Sequence, residues 1–443
     1  MHIELPEKVR TIIEVIEAAG WEAYAVGGCV RDSVLGRVPD DWDITTSAQP
    51  WQIKELFKRT IDTGIQHGTV TVMMDREGFE VTTYRIDGEY EDSRHPTEVI
   101  FTADVAEDLK RRDFTMNAMA YNDKKGLLDL FGGIEDMNRG VIRCVGDPEE
   151  RFGEDALRML RALRFSAQLG YQIEEGTMAA IGKMAENITR ISAERIQTEL
   201  IKLLLSPHPD YLRTCYTSGI TQYIFPEWDR CMATDQHHPH HCYSVGEHTL
   251  EALKHVEADR ILRLAVLFHD IGKPETKTTD EKGIDHFYGH GKAGADLSEK
   301  ILRRWKLDND TIQKVNRIVY YHDSNIEAVP KNVRRAVYKY GEEIFPLLFP
   351  VKKADILAQS SYLREEKLEK LEAVKRVYEE VLEQKDCVSL KQLAVKGKDL
   401  IEAGIRPGPE LGKMLERLLG AVLERPEDNT REKLLDYAKK WKK

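Results

Sequence analysis

Hydrophobic and polar positions along this chain follow two different periods. Through the first third, short runs such as YAVGG, DDWDITT, TVTVMM and FEVTTY carry the β-branched and aromatic residues of strands, with turn residues between them. They predict a mixed sheet with helices packed against it. The opening MHIELPEKVRTIIEVIEAAG mixes acids and bases among its apolar residues, so it reads as an amphipathic helix and not as a signal peptide. After Gly146 the period becomes helical: RFGEDALRMLRALRFSAQLG sets Leu157, Leu160 and Leu163 with Phe165 along one apolar stripe. ISAERIQTELIKLLL predicts another helix, with Ser192 as N-cap and Arg195 and Glu199 spaced i, i+4. A proline-bearing, histidine-rich stretch from Pro226 to Pro239 then interrupts the helices. Beyond it the chain reads all-helical to Lys385, and LKQLAVKGKDLIEAGIRPGPELGKMLERLL has a pattern of its own. The expected fold class is α+β: a mixed-sheet head over 1–145, a helical neck or body over 146–225, an all-α domain over 226–385 and a small helical module over 386–443.

Composition agrees with several domains, because 443 residues exceed what one hydrophobic core usually serves. Apolar residues make up 41% and charged residues 32%, a globular balance, and no apolar run is long enough to cross a bilayer. The cysteines (Cys29, Cys144, Cys215, Cys231, Cys242 and Cys387) lie far apart with no CxxC pair. That spacing excludes a zinc ribbon and a compact disulfide framework, and makes a reducing cytoplasm the expected compartment. The 65 Lys and Arg against 76 Asp and Glu leave a net charge of −11, so nucleic-acid contact has to rest on local clusters. These are Lys110-Arg111-Arg112, the row Arg158, Arg161 and Arg164, the run Lys331, Arg334, Arg335 and Lys339, and the tail YAKKWKK. A solvated face is the other reading of each.

Chemistry enters with DDWDITT. Asp41 and Asp43 are separated by one residue, and on a strand both carboxylates project to one side. Two-metal phosphoryl transfer needs carboxylates so placed, holding two cations about 3.5–4 Å apart. Upstream, Gly27-Gly28 closes a strand and leads into a helix, a turn that offers backbone N–H groups to a phosphate. A DxD or a Gly-Gly alone is weak; their succession within one strand–helix–strand span is specific. Glu80, on a candidate neighbouring strand, is either a third carboxylate or a solvated strand residue.

GGCVRD followed by DDWDITTSA resembles the first motif of the class II tRNA nucleotidyltransferases, the family of CCA-adding enzymes and poly(A) polymerases. RRDFTMNAMAY is similar to the family's ribose-binding motif, LLDLFGG to its hinge, GEDALRMLRALRF to its EDxxR motif and ISAERIQTEL to its last motif. The resemblance covers about the first half of the chain. It implies a polymerase-β-type head, two Mg²⁺ at Asp41 and Asp43, and tRNA, ATP and CTP as partners, with no protein partner. It marks Gly27, Gly28, Arg31, Asp32, Arg111, Arg112, Asp113 and Asn117 as nucleotide-binding, together with Asp155, Arg158, Arg161 and Arg164.

Asp155 and Arg158 are three apart on an expected helix and so share a face. A carboxylate accepts from an exocyclic amino group and a guanidinium donates to a ring nitrogen or carbonyl, so one pair selects C and A and rejects G and U. An ordinary i, i+3 salt bridge is the other reading; the resemblance gives the pair the role of an amino-acid template. RIDGEYEDSRHP, with Arg85, Asp87 and Arg94, resembles the flexible loop retained by CCA-adding and A-adding members. It points to terminal A addition and leaves full CCA addition and A-only addition both open.

The second half carries His248 in SVGEHTLEAL, His269-Asp270 in RLAVLFHDIGKPET, His290 in HFYGHGKAGA, His322 in IVYYHDSN and Asp355 in KKADILAQS. Histidine and carboxylate ligands from several helices suit a transition metal that activates water. Their order resembles an HD-type phosphohydrolase domain, implying Ni²⁺, Mn²⁺, Co²⁺ or Fe²⁺ at His248, His269, Asp270 and Asp355. His290 and His322 would complete a second position, and Lys273 would contact a phosphate. An inert tRNA-binding helper is the other reading. His237, His238, His240 and His241 have irregular spacing and read as an exposed entry to the helix. Near the C-terminus, LIEAGIRPGPELGKML resembles a helix–hairpin–helix, whose glycine turn meets a phosphate backbone without reading bases. The expected function is tRNA 3′-CCA addition. A-only addition, poly(A) synthesis and RNA-end phosphohydrolysis are the competing functions.

Overall fold

The structure, a computed structural model, describes residues 1–87, 99–237, 240 and 242–441. It divides into two compact units, Met1–Pro226 and Glu227–Lys443. No helix among the described residues is long and apolar enough to cross a membrane.

The first unit opens with the amphipathic helix Glu7–Ala18, which buries Val9, Ile12, Ile13 and Ile16. Its strands are β1 (Ala23–Val26), β2 (Ile44–Thr46), β3 (Thr60–Gly64), β4 (Thr69–Met74), β5 (Glu77–Thr83), the ribbon β6 (Arg85–Asp87) and β7 (Val99–Phe101), then β8 (Met119–Asn122) and β9 (Gly126–Asp129). Seven of them form one mixed sheet in the order β3-β4-β5-β2-β1-β8-β9. The alternation pattern predicts such a sheet, because β1 is buried at every position and needs cover on both faces. β2 pairs antiparallel with β1 and parallel with β5.

One expectation changes here. DDWD does not lie on a strand: β2 begins at Ile44, and Asp41 and Asp43 form its approach. Acidic residues have low strand propensity, and the β-branched run starts only with Ile44. The ladder still reaches back one residue, since the Val26 N–H donates to the Asp43 carbonyl at 3.0 Å.

The helix expected through RFGEDALRMLRALRFSAQLG is two helices, Pro148–Glu154 and Leu157–Leu169, broken at Asp155 with φ −142° and ψ 103°. Asp155 leaves the helix because its carboxylate caps the next one, accepting the Leu157 N–H at 3.0 Å. The apolar stripe is as expected: Leu157, Leu160, Leu163 and Phe165 are all buried. Ser192 does precede the helix Ala193–Leu204, but its side chain makes no capping bond. Arg195 and Glu199 do not pair with each other; Arg195 bonds Asp155, and buried Glu199 bonds Arg164 across the helix pair.

The second unit is helical apart from a small hairpin, Thr278–Thr279 with Asp285–His286, which the all-helical expectation missed. The helix Arg260–Phe268 is capped by Asp259, which accepts the Ile261 and Leu262 N–H groups, each at 2.9 Å. It buries Leu262, Leu264, Val266, Leu267 and Phe268. Each such side chain contributes about 1.5–3 kcal/mol, so the helix end that carries His269 and Asp270 is firmly seated. Helices Val245–Lys254, His290–Arg304, Asn309–Tyr321 and Leu348–Ala358 supply the other ligand-bearing segments. Among the basic clusters, Arg334 is buried and bonds Asp386 and the Leu423 carbonyl, so that run is largely structural. Lys331 and Arg335 are paired with Glu424. Near the C-terminus, helices Gly397–Glu402 and Pro409–Glu424 flank the glycine turn and pack with Arg431–Trp441 around Leu400, Leu418 and Leu434.

Candidate active site

Three carboxylates gather beside two interior strands of the sheet, β2 and β5. The parallel register sets Ile44 opposite Val81, so Asp43 and Glu80, one residue earlier on each, are neighbours. Asp41, Asp43 and Glu80 line a cavity of about 920 Å³, and Asp41 and Asp43 also border a second of about 590 Å³. Desolvation by the cavity walls raises the Asp43 carboxyl above its ordinary value; Arg112 opposes this and Asp41 adds to it. Glu80 is raised likewise by desolvation, then by Asp43 and Asp41. Carboxylates that raise one another are an oxygen-donor set suited to a hard divalent cation.

The second cavity is walled by the glycine turn and by arginines. Gly27 has φ +82°, where an L side chain would be strained, and a Cβ there would lie 2.8 Å from an Arg112 guanidinium nitrogen and displace it. Gly27 spends its own N–H on the Met119 carbonyl at 3.1 Å, which leaves the expected phosphate contact to Gly28 and the residues after it. Arg31 is held in a fork by Asp32 at 2.9 and 2.8 Å and by Asn117 at 2.7 Å. Arg111 and Arg112 both lean on buried Asp108. Asp113 accepts from Asn117 at 3.0 Å and Arg161 at 2.8 Å. Burial opposes its ionisation, yet Arg161, Asn117 and Arg158 hold it down at about 2.

Asp155 and Arg158 both line this cavity and do not form the ordinary i, i+3 salt bridge that is the competing reading of their spacing. The helix break at Asp155 separates them. Asp155 takes Arg195 at 2.7 Å, and Arg158 takes Glu154 at 2.6 Å. Arg161 and Arg164 border the same space. In the loop that resembles the family's flexible one, Arg85 donates to the His67 carbonyl, Asp87 ends β6, and Arg94 lies outside the described residues.

The histidines of the second unit converge as well. His248 Nε2 lies 3.2 Å from His269 Nε2, and His290 Nε2 lies 3.1 Å from His322 Nε2. The Nδ1 atoms of His269, His290 and His322 donate to the carbonyls of Val266, Phe287 and Val319 at 2.7, 2.8 and 2.6 Å. A carbonyl only accepts, so each ring keeps its proton on Nδ1 and points Nε2 inward, the orientation of a metal ligand. Asp270 joins the two pairs: Oδ2 is 3.2 Å from His269, and Oδ1 is 3.5 Å from His290 and 3.7 Å from His322. Asp355 reaches His248 at 3.0 Å. His248, His269 and Asp270 thus form one donor group, and Asp270, His290 and His322 another. Lys273 is buried, 2.6 Å from Asp270 and 2.8 Å from Gln236, and lines the cavity beside the cluster. Of the irregular histidines, His237 bonds Asp285, while His238 and His241 lie outside the described residues.

Comparison with known proteins identifies the chain's relatives. Three family models match: "Poly A polymerase head domain" over residues 23–143, "Probable RNA and SrmB- binding site of polymerase A" over 170–232, and "tRNA nucleotidyltransferase domain 2" over 286–438. A CCA-adding enzyme of Levilactobacillus brevis is 36% identical over 414 residues, which is 92% of this chain and 91% of the relative. One from Lactiplantibacillus plantarum is 35% identical over 98% of this chain and 96% of its own. The chain belongs to the CCA-adding enzyme family. The Bacillus stearothermophilus CCA-adding enzyme, solved in complex with CTP, matches at TM-score 0.74 with 30% identity, over 99% of this chain and 98% of that one. Family membership carries tRNA nucleotidyltransferase activity and a divalent metal, for which the head carboxylates have the right donor chemistry.

This CCA-adding family member has cavity residues that sequence reasoning passed over: Asp40, Phe165, Arg195 and Lys202. Arg195 and Lys202 are seven apart, hence on one helix face, and that spacing was the available signal. Phe165 has the guanidiniums of Arg164, Arg31 and Arg161 over its ring at 3.6, 4.9 and 5.5 Å. Arg161 and Arg164 share the helix of Phe165, and only the contact from Arg31 requires the helix after the glycine turn to meet it.

Proposed function

We propose that this chain builds or repairs the 3′-terminal CCA of tRNA from CTP and ATP without a nucleic-acid template. The observation that carries the reading is the carboxylate trio Asp41, Asp43 and Glu80 beside an arginine-walled cavity of about 590 Å³. The tRNA 3′-oxygen bonds to the α-phosphorus, the α–β bridging bond breaks, diphosphate leaves and the hydroxyl proton is released. Asp41 and Asp43, with Glu80 beside them, would hold two Mg²⁺, which activate the hydroxyl and neutralise the triphosphate. Gly28, Arg31, Arg111 and Arg112 bind triphosphate and ribose, while Asp113 and Asn117 fix Arg161 and Arg31 in place. Asp155 and Arg158 select C and A, each oriented by its own partner, Arg195 or Glu154. The C-terminal hairpin module and the tail from Tyr437 contact the tRNA backbone, and such work belongs to the cytoplasm. Incubation with tRNAs lacking CCA, ending in C and ending in CC tests the reading: CTP and ATP should be incorporated on the first two and ATP alone on the third. A chain that incorporates ATP on the third substrate and no CTP on the first two would be an A-adding enzyme.

The inward-facing imidazoles favour a second activity in Glu227–Lys443, a metal-dependent phosphohydrolase. His248, His269, Asp270 and Asp355 would hold one ion of Ni²⁺, Mn²⁺, Co²⁺ or Fe²⁺, and Asp270, His290 and His322 a second. Opening of a 2′,3′-cyclic RNA end to a terminal phosphomonoester, lost in His269→Ala and retained in Asp41→Ala, tests it.

A further inference from the structure

The histidine cluster lies where two cavities of the second unit meet. One, of about 430 Å³, has Phe345, Phe349 and Ile356 in its apolar wall and Lys352 and Lys367 among its polar lining. The other, of about 320 Å³, is lined by Phe287, Tyr288 and Lys273. His322, Asp323, Asp355 and Gln359 border both, so the two cavities share His322 and Asp355 of the cluster. The larger has the size and the mainly apolar wall that suits one small organic group; the smaller is mostly polar, with Asp270, Asp285, Asp323 and His290 also on its wall, and its apolar surface is Phe287 and Tyr288.

The smaller cavity has an additional feature at its mouth. Tyr288 is 79% exposed. Its ring stacks on His286 with centroids 5.4 Å apart and planes 8° from parallel. An exposed, pre-stacked aromatic pair offers a flat face to a nucleobase.

A phosphomonoester has one organic arm and would fill one cavity. A phosphate held over the ligands with an arm in each cavity is a diester. Resting on the metallohydrolase reading of the cluster, we propose that its substrate is a linear phosphodiester joining two nucleosides. One nucleoside lies against Phe349 and Ile356, and the base of the other stacks on Tyr288. Water's oxygen bonds to phosphorus and the bond to one ester oxygen breaks. That oxygen leaves as a hydroxyl with one of the water's protons, so the products are a nucleotide monoester and an alcohol. A free dinucleotide and the last linkage of an RNA strand share this chemistry.

The full chain with Mn²⁺ or Ni²⁺ is given adenylyl-adenosine, a short RNA, 3′-AMP, 5′-AMP and 2′,3′-cyclic AMP. One of the two linear diesters should be cleaved fastest, and which one it is identifies the source. Tyr288→Ala and the cavity-filling Ile356→Trp should each raise KM for it about tenfold, with CCA addition unchanged. Independently of turnover, calorimetry of the metal-free chain with a methylphosphonate-linked adenosine dimer should show binding that both variants weaken about tenfold. Faster cleavage of a monoester or of the one-armed cyclic diester overturns the two-armed site and leaves the metallohydrolase reading standing. No cleavage of any substrate overturns the metallohydrolase reading, and analogue binding then decides the cavities: binding that neither variant changes overturns this inference too.

Discussion

The head carboxylates and the histidine cluster are both sets of converging donors, built in opposite ways. Asp41 and Asp43 sit on an irregular approach to a strand, exposed within broad cavities, and only the Asp43 backbone is pinned by the sheet. The histidines stand on or at the ends of helices, 1–9% exposed, and three of them have Nδ1 tied to the carbonyl three residues back. Oxygen donors in an open pocket suit a cation that arrives with its nucleotide and leaves with diphosphate. Nitrogen donors locked in orientation suit one that stays. On the proposed reading, the same chain would separate a site for exchange from a site for retention.

The sharpest way to break that contrast is to remove one donor from each site. Asp43→Ala should cut CTP incorporation by about 10³-fold or more, because the transferring phosphoryl loses its charge stabilisation. Its circular dichroism should be unchanged, since the strand begins only at Ile44. Incorporation above a tenth of the parent rate removes Asp43 from the chemistry. His269→Ala should lower metal content in the second unit by about 100-fold, read by mass spectrometry after dialysis, while CTP incorporation holds. A variant that kept its metal would leave the inward-facing imidazoles without a purpose.

A smaller effect concerns base choice. Asp155→Ala should lower discrimination against UTP by about 10–100-fold, the worth of one well-placed polar contact. Arg195→Ala should do the same in part, because it is Arg195 that orients Asp155. Strict C and A selection in Asp155→Ala would move the template elsewhere in the cavity.

How much of this was legible in the sequence follows from the range of the interactions. The strands around YAVGG, TVTVMM and FEVTTY were visible because a buried sheet writes its period locally. HDIGK was visible because an apolar helix delivers its ligands at one end. The break at Asp155 was not, since a residue spaced correctly for a helix face left the helix to cap the next one. Nor were the partners of Arg195 and Glu199, whose i, i+4 spacing suggested each other while the packed helices offered buried alternatives. Arg334 read as part of a basic cluster, and only tertiary structure showed it spent on Asp386 and the Leu423 carbonyl.

The last test turns on Asp113, which belongs to the nucleotide cavity yet is more buried than the other carboxylates there. Its native pKa of about 2 lies below the unfolded value of about 3.9. A group depressed in this way contributes stability above the unfolded pKa and loses it as pH falls through the native one. Asp113→Asn should therefore destabilise the first unit by about 2 kcal/mol at pH 7. The deficit should narrow below about pH 4 and be mostly gone near pH 2. Urea unfolding of parent and variant at pH 7 and pH 3 reads it directly. A deficit that stayed constant across that interval would mean that Asp113 holds Asn117 and Arg161 by shape and hydrogen bonding alone. The arginine wall of the cavity would then owe nothing to its charge.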